Sequence, residues 1–437
     1  MPPKPIPSRE KGATMSEKLY VTKNGIQIYS YRNESAHSFF VSMFLRAGSM
    51  FEREEDSGIT HFLEHIAIRN VNALMSGGLY ALLDKYGLAF NASTASEMVQ
   101  FYVSGSPKNF ATGANILASV LSPIVLDAGS IAVERDRIKA EIRESDEKNT
   151  LATFANSIVF EGTGLSRSIL GTNKTVGRIT KARLERYRQE VMTSGNLFFY
   201  VTGSFTDEDI AALAAEIESK NIPTAEGRDN LAPIPPSFGK RSPQAFIKNG
   251  DFTMLRLTFD IDMAKVKIPA LDIIYDMLVS GYNSRLFFEL SEMRGIVYDI
   301  NGFVDKYKNL GVLAFYYEVK EDKLYEALEL TLSALTAAKN EIPDEDSCMK
   351  AVYVDNAPML LDDPCELNFT FGHGNHIVGQ NFKTIADQQK AYADITPEML
   401  RDTMRIIFAP ENLTVAIKGK KRKIDKERLD KIIAEYK

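Results

Sequence analysis

Apolar and polar positions alternate from Leu19 to Tyr31 around Asn24-Gly25, which predicts a β-hairpin. Further apolar runs predict strands at Ser38–Leu45, Phe90–Ser93 and Val99–Ser104, the last two joined by a short polar turn. Helical spacing follows over Ala111–Val125 and Ile131–Ile158. The second half repeats the style. Strands are expected at Met254–Ile261 and Val312–Glu318, and helices at Ile268–Leu278 and Lys323–Lys339. Groups of strands followed by long helices predict an α+β layer fold.

The two halves also resemble each other. ITKARLERYRQEVMTSGNLFFYVTG (179–203) and ITPEMLRDTMRIIFAPENLTVAIKG (395–419) share Ile, Thr, Leu, Asn, Leu and Gly at a constant offset of 216. Each reads as a capping Thr, an amphipathic helix, a turn at Asn and an apolar strand. Between the halves, residues 224–244 are rich in Pro, Gly and charge, which is linker composition. The expected architecture is two homologous domains in tandem, each a mixed or antiparallel sheet packed against helices. The expected bounds are 16–225 and 245–437, with 226–244 as linker and 1–15 as a disordered tail.

Composition narrows the function. The chain has 437 residues, with 52 Lys and Arg against 58 Asp and Glu, a formal charge of −6. The basic surplus of a nucleic-acid binder is missing. No apolar run is long enough to span a membrane. Met1–Thr14 lacks the apolar core of a secretory signal, and Met15 is a candidate start. Two cysteines, Cys348 and Cys365, are too few for a disulfide framework and suggest a cytoplasmic protein.

The candidate chemistry lies in His61-Phe62-Leu63-Glu64-His65, an H-x-x-E-H pattern in a chain of five histidines. Residues i and i+4 stack on one helix face, so both imidazoles reach one metal ion. Glu64 borders that face and is placed to hold a water. Ser57 or Asp56 is the expected cap of this helix, with Gly58 giving room for the turn. A catalytic zinc needs a third protein ligand. Glu134 and Glu141 are seven apart on one helical face; one is a candidate ligand, the other a candidate partner for a histidine. His373-Gly-Asn-His376 reads as a turn with no third ligand nearby.

H-x-x-E-H, inverted from H-E-x-x-H, marks the inverzincins. Its surroundings resemble the M16 zinc peptidases, above all the group containing mitochondrial processing peptidase and its bacterial relatives, over nearly the whole chain. The resemblance rests on Arg46-Ala47-Gly48-Ser49, Glu52 and Gly58 upstream, and on Glu141, 76 positions after His65. It also rests on Asn91-Ala92-Ser93-Thr94, Ser284-Arg285-Leu286-Phe287 and Arg294-Gly295-Ile296-Val297-Tyr298. It implies one Zn²⁺ on His61, His65 and Glu141, with Glu134 behind the ligands and Glu64 as general base. It implies that a peptide substrate lies along the edge strand at Asn91, Ala92 and Ser93. It implies that Tyr298 is catalytic, steadying the oxyanion.

Two departures stand out. Ile68-Arg69-Asn70 replaces the usual Phe-Lys-Gly, and Ser291 occupies the place of an Arg seven before the Tyr; Arg285 and Arg294 are off register. The expectation is therefore a zinc endopeptidase in a clam-like dimer, either a homodimer or a heterodimer whose metal-free homologous partner supplies the Arg. The alternative is a non-catalytic structural or substrate-binding subunit. Glu52, Glu54, Glu55, Asp56 and Glu97 cluster near the motif; if they line the chamber, basic peptides are favoured.

Overall fold

Strand-forming segments recur in the same spatial order in both halves of the computed structural model, which describes residues 15–148 and 150–437. In the first half β1 (Lys18–Val21), β2 (Gln27–Arg32), β3 (Phe39–Leu45), β4 (Ala89–Thr94), β5 (Val99–Gly105) and β6 (Leu197–Gly203) form one sheet. Its order is β1-β2-β6-β3-β5-β4. In the second half β7 (Ala245–Asn249), β8 (Met254–Asp262), β9 (Asn301–Lys306), β10 (Leu310–Glu318) and β11 (Leu413–Gly419) form another, ordered β7-β11-β8-β10-β9. Without β1 the two orders are the same, and each has one parallel pair, β2 with β6 and β7 with β11. The offset of 216 carries β6 onto β11, and helix Lys181–Val191 onto helix Pro397–Ile407, residue for residue. This is the α+β arrangement of two tandem domains that the pattern predicts. The tail expected before Met15 lies outside the described residues.

One face of each sheet is covered by its own half. Helix α1 (Ile59–Leu74) and its neighbours bury Phe62, Ile66 and Val71 against Val41, Met43, Phe101 and Val103. Each buried side chain of this size contributes ~1.5–3 kcal/mol. The other face is covered by the opposite half. Helix α2 (Ala128–Lys148) is followed by helix α3 (Thr150–Val159), which packs Ala155 on Ala416 and Met254 of the second sheet. Asn156 Oδ1 accepts a bond from Arg256 there at 2.8 Å. Reciprocally, helix α4 (Pro364–His373) sets Leu367 and Phe371 against Tyr31, Phe44, Phe198 and Tyr200 of the first sheet. Asn368, fully buried, donates to Tyr200 O at 2.9 Å and accepts from Ser42 Oγ at 2.7 Å. A Cβ on Gly372 would come within 2.8 Å of the Phe44 ring, so the close crossing needs glycine. The offset of 216 maps Thr150–Val159 onto 366–375, almost coincident with α4. The two halves have exchanged equivalent helices.

The turn expected at His373–His376 is not present. Helix α4 runs on as a wider helical turn through Gly374–Val378, because these residues are packed on the first sheet and its approaches. Both histidines meet carboxylates of the first half: His373 Nε2 faces Glu97 at 2.9 Å, and His376 Nε2 faces Glu17 at 3.0 Å while stacking on Tyr29. Arg46 joins the same seam, donating to Gly195 O and His376 O.

The Glu17 side chain is 2% exposed and also accepts from Lys383 at 2.7 Å and Tyr200 at 2.9 Å. Burial alone would raise its carboxyl; the bonds from His376 and Lys383 outweigh it and hold the group down from 4.5 to about 2. Replacing Glu17 by Gln is expected to lower unfolding free energy by about 2–3 kcal/mol at pH 7, read by urea denaturation. A depressed carboxyl stabilises fully above its unfolded pKa, so the gap between wild type and variant should narrow as pH falls from 4.5 toward 2.

Candidate metal centre

Helix α1 begins where Gly58 turns into it at φ 91°, a left-handed conformation that suits glycine; a Cβ there would meet Leu170 O at 2.6 Å. The cap differs from the expected Ser57 or Asp56. Neither side chain bonds the helix start, and Asp56 is held by Arg183 at 2.7 Å. Instead Glu52 reaches forward, and its carboxylate accepts the N–H groups of Gly58 at 2.8 Å and Thr60 at 2.9 Å. It thereby satisfies orphan donors and sits at the positive end of the helix dipole. Glu52 is 7% exposed; burial raises its carboxyl above the ordinary range, against the pull of these two bonds. Gly48, in the Arg46–Ser49 run, backs onto Ser96 O so closely that a Cβ would lie 2.2 Å away.

With α1 so aimed, His61 and His65 project together, ring centroids 4.6 Å apart. Glu141, from α2, arrives between them: its Oε2 lies 3.8 Å from His61 Nε2 and 3.6 Å from His65 Nε2. One ligand atom from each of the three falls within 4.8 Å of the others. Ligands on tetrahedral zinc at 2.0–2.1 Å stand about 3.4 Å apart, so this donor set fits the ion. Burial, with His65 beside it, pulls His61 down to about 3, so its imidazole is neutral at pH 7 and keeps a lone pair for a metal. Its Nδ1 is buried without a partner among the described residues.

Glu134 occupies the position behind His65. It is 2% exposed and accepts from His65 Nδ1 at 3.2 Å and Arg69 Nη1 at 2.7 Å. That contact fixes the His65 ring with Nε2 toward Glu141. Of the two carboxylates left open by spacing, Glu141 therefore faces the ligand atoms and Glu134 the far side of a histidine. Glu64 is 8% exposed, its carboxyl raised by burial, and its Oε2 accepts from Thr94 Oγ1 at 2.9 Å. Glu64, His65 and Glu141 share a cavity of about 620 Å³ with Asn91.

Asn91, Ala92 and Ser93 lie on β4, the outermost strand of the first sheet. Phe90 and Ala92 pack inward, while Asn91 and Ser93 are exposed. Asn91 Oδ1 accepts the Ala92 N–H at 2.9 Å, so that amide is held by a side chain rather than a strand. Tyr298 is not brought to the metal group within this chain. It is 96% exposed and lines a separate cavity with Ser291 and Phe252. Arg285 is paired with Glu341 and Arg294 with Glu289, so neither replaces the missing Arg. Of the acidic cluster, Glu52 caps α1, Asp56 pairs with Arg183 and Glu97 pairs with His373, and none of the five lines the metal cavity. Arg69 and Arg137 line it instead. Glu52 and Thr94 were quoted in motifs, but nothing in their spacing marks one as a cap and the other as the partner of Glu64.

The family description "Insulinase (Peptidase family M16)" matches residues 27–173, and "Peptidase M16 inactive domain" matches 178–348. The chain belongs to the M16 peptidase family. A protein of Rickettsia felis described as an uncharacterized zinc protease is 28% identical over 330 residues, covering 73% of this chain and 78% of its own. Mitochondrial-processing peptidase subunit beta of Caenorhabditis elegans is 23% identical over 417 residues, covering 91% and 88%. A protease of Helicobacter pylori has the same fold at TM-score 0.81 and 18% identity, over 93% of this chain and 100% of that one. The metal group falls in the half that matches the insulinase description, and Tyr298 in the half whose M16 description is inactive.

Replacing Glu52 by Ala is expected to cost about 2 kcal/mol of folding stability, since two buried N–H groups lose their acceptor. Glu52→Gln keeps one acceptor oxygen and should cost less; equal midpoints for wild type and Glu52→Ala in urea would contradict the capping role.

Proposed function

We propose that this chain is a zinc-dependent endopeptidase acting on peptides or unfolded precursor segments. The single observation that carries the reading is the meeting of His61, His65 and Glu141 beside the buried Glu64, at the free edge of β4. His61, His65 and Glu141 hold one Zn²⁺, and Glu134 holds His65 in place. Bound there, the ion supplies Lewis acidity, lowering the pKa of water from ~15.7 toward ~7 and polarising a peptide carbonyl.

The chain's own residues do the rest. The edge of β4 at Asn91, Ala92 and Ser93 pairs with an extended substrate main chain, which grips peptides with little regard to sequence. Such pairing requires the Asn91 side chain to release the Ala92 N–H. Glu64 takes a proton from the attacking water and delivers it to the leaving nitrogen. Burial raises the Glu64 carboxyl, which suits it to both steps, and Thr94 points its lone pairs. Tyr298 meets an oxyanion in a homodimer, where the second domain of one copy presents it to the metal group of the other.

Ser291 favours instead a heterodimer, in which the second domain of a metal-free homologous subunit brings the missing Arg to this chain's metal group. The alternative, a non-catalytic subunit, fits the four intact residues poorly. Cys348 and Cys365 are both free, which fits a reducing compartment such as the cytoplasm. No helix of the described residues is long and apolar enough to cross a membrane.

Glu64→Gln is expected to keep zinc, measured by atomic absorption, and to lose at least 10³-fold in peptide hydrolysis, whereas Glu141→Gln should lose zinc itself. Normal turnover by Glu64→Gln would overturn its role as base. Thr94→Val should lower kcat by about tenfold with KM and zinc content unchanged, and Thr94→Ser should restore it. Purified alone, the chain should cleave a mixed peptide library slowly and gain on addition of its homologous partner; full activity alone would rule out the heterodimer.

A further inference from the structure

The metal cavity is lined by three carboxylates, Glu64, Glu134 and Glu141, and two arginines, one of them loosely held. Arg69, on α1, and Arg137, on α2, both line it, beside Asn72, Tyr80 and Asn91. The two guanidinium groups face one buried carboxylate, Glu134. Arg69 satisfies that carboxylate with a short bond of 2.7 Å. Arg137 touches the same two oxygens only at 3.3 and 3.4 Å, and its side chain is 61% exposed. The other carboxylates of the cavity, Glu64 and Glu141, face the metal group rather than either arginine. Asp127 lies near Arg69, but its Oδ1 accepts the Ser130 N–H at 2.7 Å and it does not line the cavity. Arg137 thus holds donors that Glu134 does not need. A guanidinium in that state pairs with a carboxylate in a bidentate fork.

Asn91 belongs both to this cavity and to β4. A peptide laid along β4 therefore passes the cavity mouth with the scissile bond near Glu64. We infer that the Arg137 side of this cavity is a specificity subsite that takes an acidic side chain, Asp or Glu, next to the bond cut. This inference rests on the peptidase reading and names the substrate class within it. It runs opposite to the basic preference suggested by the acidic cluster in the sequence, whose members do not line this cavity.

The test compares peptides that differ only by Glu, Gln or Lys at each position flanking the cut. Two readouts are taken: kcat/KM with the zinc-loaded wild-type chain, and Kd by fluorescence anisotropy with the zinc-loaded Glu64→Gln chain. At one position Glu is expected to beat Gln by about tenfold in both readouts. Adding Arg137→Gln should collapse that ratio toward one, and Arg137→Glu should turn it in favour of Lys, with zinc content unchanged in each. Cleavage without an acidic preference, or a preference that survives Arg137→Gln, overturns the subsite and leaves the peptidase reading standing. Absence of cleavage both by the chain alone and with its homologous partner added, alongside a Glu preference in binding, overturns the peptidase reading and supports the subsite. Neither cleavage nor binding overturns both.

Discussion

One buried carboxylate joins the two helices on which the site stands. Glu134 belongs to α2 and is almost wholly enclosed, yet its partners His65 and Arg69 belong to α1. A carboxylate in that position is tolerated only while charged and hydrogen-bonded donors surround it. The same contact locks the register of α2 against α1. Two turns further along α2, that register delivers Glu141 to the two imidazoles. Coordination geometry here follows from a helix–helix contact whose own chemistry is ionic.

The surrounding fold explains why such a contact holds. Each sheet is covered on one face by its own helices and on the other by a helix borrowed from the opposite half. Neither half can bury both faces of its sheet alone. The buried bonds of Asn368, Glu17 and Arg256 cross the same seam, so the halves are joined by polar specificity as well as by apolar area. The metal group lies wholly in the first half, while α4 from the second half backs the sheet that supports it.

Much of this was legible in the residues. Strand alternation placed β2, β3, β5, β8 and β10, and the repeat at an offset of 216 located equivalent elements that the sheets share. The H-x-x-E-H spacing identified the face of α1. Choosing Glu141 over Glu134 needed the family resemblance, because two positions seven apart are equivalent on a helix. Other features were hidden for physical reasons. An apolar helix stripe does not say which sheet it covers, so the exchange of α3 and α4 left no local trace. Gly374 and Asn375 look like turn formers, but packing on the first sheet keeps His373 to Val378 helical. The cap on α1 comes from Glu52 reaching forward across the short turn Glu54–Asp56, outside the usual position for a capping side chain. Charge counting near the motif pointed to an acidic chamber, whereas Glu52, Asp56 and Glu97 are engaged within the fold and none of the five lines the metal cavity.

The convergence of three ligands is the claim on which all else rests. Anomalous scattering at the zinc edge, from crystals of the chain grown with one equivalent of Zn²⁺, tests it most directly. The expected result is a single strong peak about 2.0–2.2 Å from His61 Nε2, His65 Nε2 and a Glu141 carboxylate oxygen. A peak bound elsewhere, or one at the histidines with the Glu141 carboxylate turned away, would contradict it.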